Sequence, residues 1–247
     1  MKKLYFRNQF SEQLVGILEE NKNSDAVIVF AHGFDANKDK GFLPKIASRL
    51  RNKFNIFRFD FSGSGESQGN FEEQNIEKQA KELKAAIELM KKRFKKIFVA
   101  GHSLGACIAL EEYCKYKNVD GLIFIAPAFA LSKKLLASLF FRTAKSLIFG
   151  KACLKKHEKC LRRKFFLRRA VFKLKMKKFL RHARKISFAI LAENDKLINN
   201  KKCVKIFKKL KIDYIIIKNS GHGFKSDAAI RELANCMERF LVNFINK

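Results

Sequence analysis

An α/β architecture with a mostly parallel sheet covered on both sides is predicted by two observations. Runs rich in Val, Ile and Phe recur along the chain as AVIVFAH (26–32), FNIFRFDF (54–61), KIFVAG (96–101), GLIFIAPA (121–128), ISFAILA (186–192) and DYIIIKN (213–219). They are apolar on both faces, the pattern of strands buried between two layers, and helical stretches follow them in alternation. At 247 residues and 47% apolar composition, the chain is long enough for one sizeable core.

The elements follow in order. Leu4–Gln9 and Gln13–Leu18, separated by a short polar stretch, predict an antiparallel pair at the N-terminus. After the strand at 26–32 come a loop and a helix around 42–51. The strand at 54–61 leads into the Gly/Ser loop SGSGESQG (62–69). An amphipathic helix over about 72–93 is marked by Ile76, Ala80, Leu83, Ile87 and Met90 at helical spacing. KIFVAGHSLGACIALEEYCK reads as strand, tight turn and helix. Helices at 199–210 and 226–246 close the pattern around the strand at 213–219. The β–α beat stops only between about 129 and 185, so residues 1–128 and 186–247 form the predicted core and 129–185 an insertion.

Charge is uneven. Residues 132–185 hold twenty Lys/Arg and one acid, Glu158, against a net +30 for the whole chain. The longest uncharged apolar stretch, Gly121–Ser132, is 12 residues, too short to span a bilayer. No secretory signal is visible, since the lysines of MKKLYFRNQFSEQLVGILEE lack an apolar run behind them. Six cysteines at no framework spacing suggest reduced thiols in a cytoplasmic protein.

The chemistry centres on Gly101-His102-Ser103-Leu104-Gly105. Between a strand and an amphipathic helix, GxSxG is the context of a nucleophile elbow, in which the serine occupies a strained turn. A serine nucleophile needs two N–H donors for the developing oxyanion. Leu104 offers one at the start of the helix, and Phe34, in the loop after AVIVFAH, offers the other. His32 is expected to fix that loop through hydrogen bonds and not to act as a base. Of the five histidines, His222 in KNSGHGF follows the last strand, where the order Ser…Asp/Glu…His requires the base. Glu193 and Asp195 follow the strand before it. Asp195 is the expected acid, because it lies three residues beyond the strand end, in the loop, whereas Glu193 borders the strand.

AHGF, DFSGSGESQGNF, GHSLG, AENDKLI and SGHGF, in that order, resemble the α/β-hydrolase superfamily. More narrowly they are similar to bacterial serine hydrolases grouped with cinnamoyl/feruloyl esterases, monoacylglycerol lipases and serine aminopeptidase-like hydrolases. The resemblance covers Leu4–Ala128 and Ile186–Asn246. It implies an α/β-hydrolase fold, Ser103 as nucleophile, His222 as base, Asp195 as acid, and Phe34 and Leu104 as oxyanion donors. It also implies that 129–185 is a variable lid. The expected activity is hydrolysis of small-molecule carboxylic esters through an acyl-enzyme, without metal or organic cofactor. Acylglycerol or lysophospholipid hydrolysis at anionic membranes, peptidase or amidase action, and a catalytically silent binding protein stand as alternatives. Cys153, His157 and Cys160 lack the second half of a zinc ligand set. Cys107 and Cys114 read as small apolar residues.

Within the insertion, Phe165, Phe172, Met176, Phe179 and Ala183 fall on one helix face, and Leu135, Leu136, Leu139, Phe140, Thr143 and Leu147 form a second stripe. Two or three short amphipathic helices are therefore expected, apolar toward the site and charged toward solvent. The charge fits a solvated surface or anionic headgroups; no nucleic-acid-binding motif accompanies it.

Overall fold

Eight strands form one sheet in the computed structural model, which describes residues 1–153 and 160–245. The strands are β1 (Lys2–Arg7), β2 (Gln13–Glu19), β3 (Ala26–Ala31), β4 (Asn55–Phe59), β5 (Lys96–His102), β6 (Gly121–Ile125), β9 (Ser187–Ala192) and β10 (Asp213–Ile217). Their spatial order is β1-β2-β4-β3-β5-β6-β9-β10. β1 pairs antiparallel with β2, and β2 with β4; every other pairing is parallel. The central strands β3 and β6 are buried at every residue, as their unbroken apolar runs require.

Two apolar layers flank the sheet. Ile46 and Leu50 of α1 (Leu43–Leu50) and Ile230, Leu233, Met237 and Leu241 of α7 (Asp227–Ile245) pack on one face. On the other lie α2 (Ile76–Lys91), α3 (Leu104–Tyr116) and α6 (Asn200–Leu210). Asn75 starts α2 by accepting a hydrogen bond from the Lys78 amide, satisfying one of the free N–H groups at a helix start. Because β3, β5, β6, β9 and β10 are parallel, the loops after them converge on one edge of the sheet. That edge is where an open α/β sheet presents functional loops.

The 129–185 segment is built differently from the short helices expected of it. Two long helices, α4 (Lys133–Phe149) and α5 (Arg163–Ala183), flank a two-stranded ribbon of β7 (Lys151–Cys153) and β8 (Cys160–Arg162). Gly150 takes a left-handed conformation at φ 73° and ends α4. α5 buries Phe165, Phe166, Phe172, Met176, Leu180 and Ala183 against the core, each large side chain contributing about 2 kcal/mol of burial. The expected α4 stripe holds for Leu135, Leu136 and Leu139, which pack on the core, but Phe140 and Leu147 are exposed. Their positions fall beyond the side of the helix that the core touches.

The antiparallel register of the ribbon sets Cys153 opposite Cys160, and a disulfide joins them. The expectation of reduced thiols throughout therefore fails at this pair; Cys107, Cys114, Cys203 and Cys236 are free. With both sulfurs committed to each other, neither Cys153 nor Cys160 is a free thiolate. His157 lies outside the described residues, among which no cluster of potential metal ligands occurs. No described helix is long and apolar enough to cross a membrane.

Candidate active site

Ser103 stands between β5 and α3 at φ 54°, ψ −111°. That backbone conformation is costly for a residue with a side chain and persists only where its surroundings impose it. Three bonds impose it here. The Ser103 amide donates to Ile125 O (2.9 Å), and Ser103 O accepts from the amides of Ala128 (3.1 Å) and Ala106 (3.3 Å). The flanking glycines are needed for space. A Cβ on Gly101 would lie 2.5 Å from Gly105 O, and one on Gly105 would lie 2.1 Å from Ala31 O. The turn thus exposes Ser103 while its backbone is clamped between β3 and β6.

His222 follows β10 and meets Asp195 from the loop after β9. The His222 Nδ1–H donates to Asp195 Oδ2 at 2.7 Å, with the aspartate side chain fully buried and the imidazole 18% exposed. Asp195 Oδ1 accepts from the amides of Leu197 (2.8 Å) and Ile198 (3.0 Å), so its second oxygen fixes the direction of the first. Glu193 is occupied elsewhere, its Oε2 accepting from the Asn219 amide at 2.9 Å. The same loop is tied to the start of the inserted segment. Asn199 N donates to Ala130 O and Ser132 N to Leu197 O, both at 2.8 Å, around an antiparallel bridge between Leu131 and Ile198.

His102 connects the two halves. Its Nε2–H donates to the His222 carbonyl (3.0 Å), and the two rings stand 4.9 Å apart between centroids. Burial, followed by the neighbouring His222, pushes the His102 pKa down to about 4, so the ring is neutral near pH 7. The chain therefore brings Ser103, His222 and Asp195 to one edge of the sheet. Among the described residues, no hydrogen bond joins Ser103 to His222.

The loop after β3 lies directly beside the serine. A Cβ on Gly33 would sit 3.3 Å from Ser103 Cβ and 3.1 Å from His102 Nδ1. Phe34 follows, its ring 5.7 Å from that of Phe71 and 5.6 Å from that of Phe165 on α5. The Leu104 amide lies at the N-terminus of α3. His32 does what the sequence suggested. Its Nδ1–H donates to Gly33 O (2.8 Å) and its Nε2 accepts from the Phe61 amide (3.1 Å), which requires the neutral ring. Burial lowers its pKa accordingly.

The hydrolase family described as serine aminopeptidase, S33, matches residues 22–227. The chain belongs to that family. A Mycoplasma pneumoniae protein provisionally named esterase/lipase 2 is 31% identical over 124 residues, 48% of this chain and 46% of that protein. The matched part is thus less than half the length of that relative. Among solved structures, Est1E from Butyrivibrio proteoclasticus with bound ferulic acid superposes with a TM-score of 0.81 at 17% identity, covering 99% of this chain and 100% of that one. A soluble variant of monoglyceride lipase from Saccharomyces cerevisiae in complex with a substrate analogue gives 0.80 at 13% identity, covering 98% and 94%. The fold is the α/β-hydrolase fold.

Two supports of this candidate site act through partners that lie far away in the sequence. Asp60, fully buried at the end of β4, accepts from the Lys38 amide (2.6 Å), the Lys38 ammonium (3.0 Å) and the Glu66 amide (3.0 Å). It binds the stretch beyond Phe34 to the Gly/Ser loop. Arg169, one turn beyond Phe165 on α5, donates to Ala128 O (3.3 Å). Nothing in the run of twelve basic residues from 160 to 185 distinguishes it from its neighbours. A hollow of about 440 Å³ opens on the outer side of His222, lined by Asn194, Lys196, Leu197, Phe224 and Lys225 among others; Ser103 does not line it.

Proposed function

We propose that this chain is a serine hydrolase of small-molecule carboxylic esters, with Ser103 as nucleophile, His222 as general base and Asp195 as its orienting acid. The observation that carries the proposal is the 2.7 Å bond from His222 Nδ1 to Asp195 Oδ2, with Asp195 Oδ1 held by two amides. It leaves the proton on Nδ1 and the Nε2 lone pair free to take the serine proton, the tautomer a general base requires. The positive φ of Ser103 and the closeness of Gly33 support the same reading.

In the reaction, Ser103 Oγ attacks the carbonyl carbon while its proton passes to His222 Nε2, and the imidazolium is stabilised by the Asp195 carboxylate. The oxyanion accepts hydrogen bonds from the Phe34 and Leu104 amides, the second aligned with the N-terminal end of α3. The proton returns from His222 to the leaving alkoxide, which departs as the alcohol. Water then gives a proton to His222 as it attacks the acyl-enzyme, and the intermediate collapses to the acid while His222 returns that proton to Ser103 Oγ. The inserted segment 129–185 acts as a lid, with Phe165 against Phe34 bordering the acyl site. Ester over amide is favoured by the names of the relatives: an esterase/lipase, a ferulic-acid-binding protein and a monoglyceride lipase.

Wild type and Ser103→Ala are compared on p-nitrophenyl esters from acetate to palmitate and on an aromatic acyl ester, with fluorophosphonate labelling in parallel. The proposal expects labelling at Ser103 and a loss of turnover of about 10⁴-fold or more in the variant. Hydrolysis that survives the substitution sinks it.

A further inference from the structure

We propose that the outer face of α4 is a docking surface for an anionic lipid bilayer. Phe140, Phe141, Ile148 and Phe149 are 72%, 73%, 75% and 68% exposed, and Leu147 is exposed beside them. At 100° per residue Phe140, Phe141 and Ile148 lie on the side of the helix away from Leu135, Leu136 and Leu139, which face the core, with Leu147 and Phe149 at the two margins of that side. Single exposed apolar residues are ordinary, but a cluster of large ones on one helix face marks an interaction surface.

Charge selects the occupant. Lys133, Lys134 and Lys145 lie on the same outer side as the phenylalanines, and no acidic residue occurs among the described residues of 132–185. A second copy of this chain would set positive charge against positive charge. A phosphate polymer would answer the lysines but offers no apolar phase to the rings. An interface of anionic headgroups over acyl chains answers both, the lysines at headgroup level and the rings below them. α5 extends the pattern outward with Leu167, Val171 and Leu174, all exposed and interspersed with Lys and Arg.

The surface is joined to the candidate active site. Ser132, which caps α4, donates its amide to Leu197 O in the loop that carries Asp195. Docking through α4 would thus hold the proposed ester site beside the bilayer, a benefit that rests on the ester reading; the docking itself does not.

The full chain is sedimented without substrate against phosphatidylcholine vesicles, alone and with phosphatidylserine added. It partitions onto the anionic vesicles only, more weakly as salt is raised. The Phe141→Ser/Ile148→Ser variant, whose far-UV circular dichroism stays that of wild type because both residues are exposed, binds those vesicles at least about tenfold less. Any of three results overturns the proposal: no partition onto anionic vesicles, equal partition of wild type and variant, or self-association that the variant abolishes. Preferential retention by RNA at the same salt also overturns it. Hydrolysis of a water-soluble ester by wild type is scored separately, so failure of the docking surface and failure of the ester reading give different results.

Discussion

Replacing Asp195 by asparagine tests the candidate triad at its best-defined contact. The amide can seat its oxygen in either of two positions. With oxygen at the Oδ1 position, it keeps the bonds from the Leu197 and Ile198 amides and turns its NH₂ toward His222. The flipped orientation restores an acceptor for His222 but forfeits both backbone bonds, at about 1 kcal/mol each, so about one molecule in thirty adopts it. In the favoured orientation the amide donates to Nδ1, and the imidazole proton moves to Nε2, where it blocks uptake of the serine proton. The variant also loses the negative charge that stabilises the imidazolium. Together these effects lower kcat/KM for a p-nitrophenyl ester by about 10³- to 10⁴-fold, or about 4–5.5 kcal/mol of barrier. The fold is unchanged, because the favoured orientation preserves the loop. An Asp195→Asn variant of intact near-UV circular dichroism that keeps activity within about tenfold of wild type would refute the assignment of Asp195 as the orienting acid.

Glu112 gives a stability prediction. It is buried on α3, and that burial pushes its carboxyl from 4.5 up to about 7, with Glu88, Lys84 and Lys91 the charged groups acting on it. Between those values the folded chain binds more protons than the unfolded one, so stability falls as pH rises from 4.5 through 7, by about 3 kcal/mol at most. Urea titrations should show Glu112→Gln lacking this fall and more stable than wild type at pH 8; parallel curves would count against it. Gly33→Ala places a methyl 3.3 Å from Ser103 Cβ and shifts the loop by a few tenths of an ångström. Activity on a water-soluble ester should drop about tenfold while the melting temperature changes by only a few degrees. Unaltered kinetics would mean that the loop does not contact the reacting groups.

The site was legible where its chemistry is local. Ser103 and its glycines occupy five consecutive residues, and the order of the strands narrows the candidate base to His222 and the candidate acid to Glu193 or Asp195. His32 was readable as a loop-shaping residue because it directly follows a strand. The supports were not readable, because they depend on distant partners. Nothing near Asp60 in the chain announces that Lys38 is buried against it, and the bond from Arg169 to Ala128 O follows from how α5 packs on α3. The 129–185 segment was legible in part for the same reason. Helical periodicity in 163–183 fixes the buried face of α5. The ribbon of β7 and β8, however, exists only through pairing between two three-residue strands, too short for periodicity to reveal. Its disulfide depends on that register. Phe140 and Leu147 misled because spacing records which residues share a side of a helix but not how far the core reaches around it.

The backbone ladder between 130–132 and 197–199 has a consequence for how the chain can be re-engineered. It closes the start of the inserted segment at Ser132, and at the other end Ser187 Oγ donates to Ala183 O at 2.8 Å, sealing the exit where β9 begins. Everything between these two seals hangs from fixed points, one of them shared with the Asp195 loop. The segment is thus bounded like a cassette: a foreign sequence spliced between Ser132 and Ala183 would meet the same two seals, but it would have to supply anew the apolar cover that α5 lays on the core and the Arg169 bond to Ala128 O.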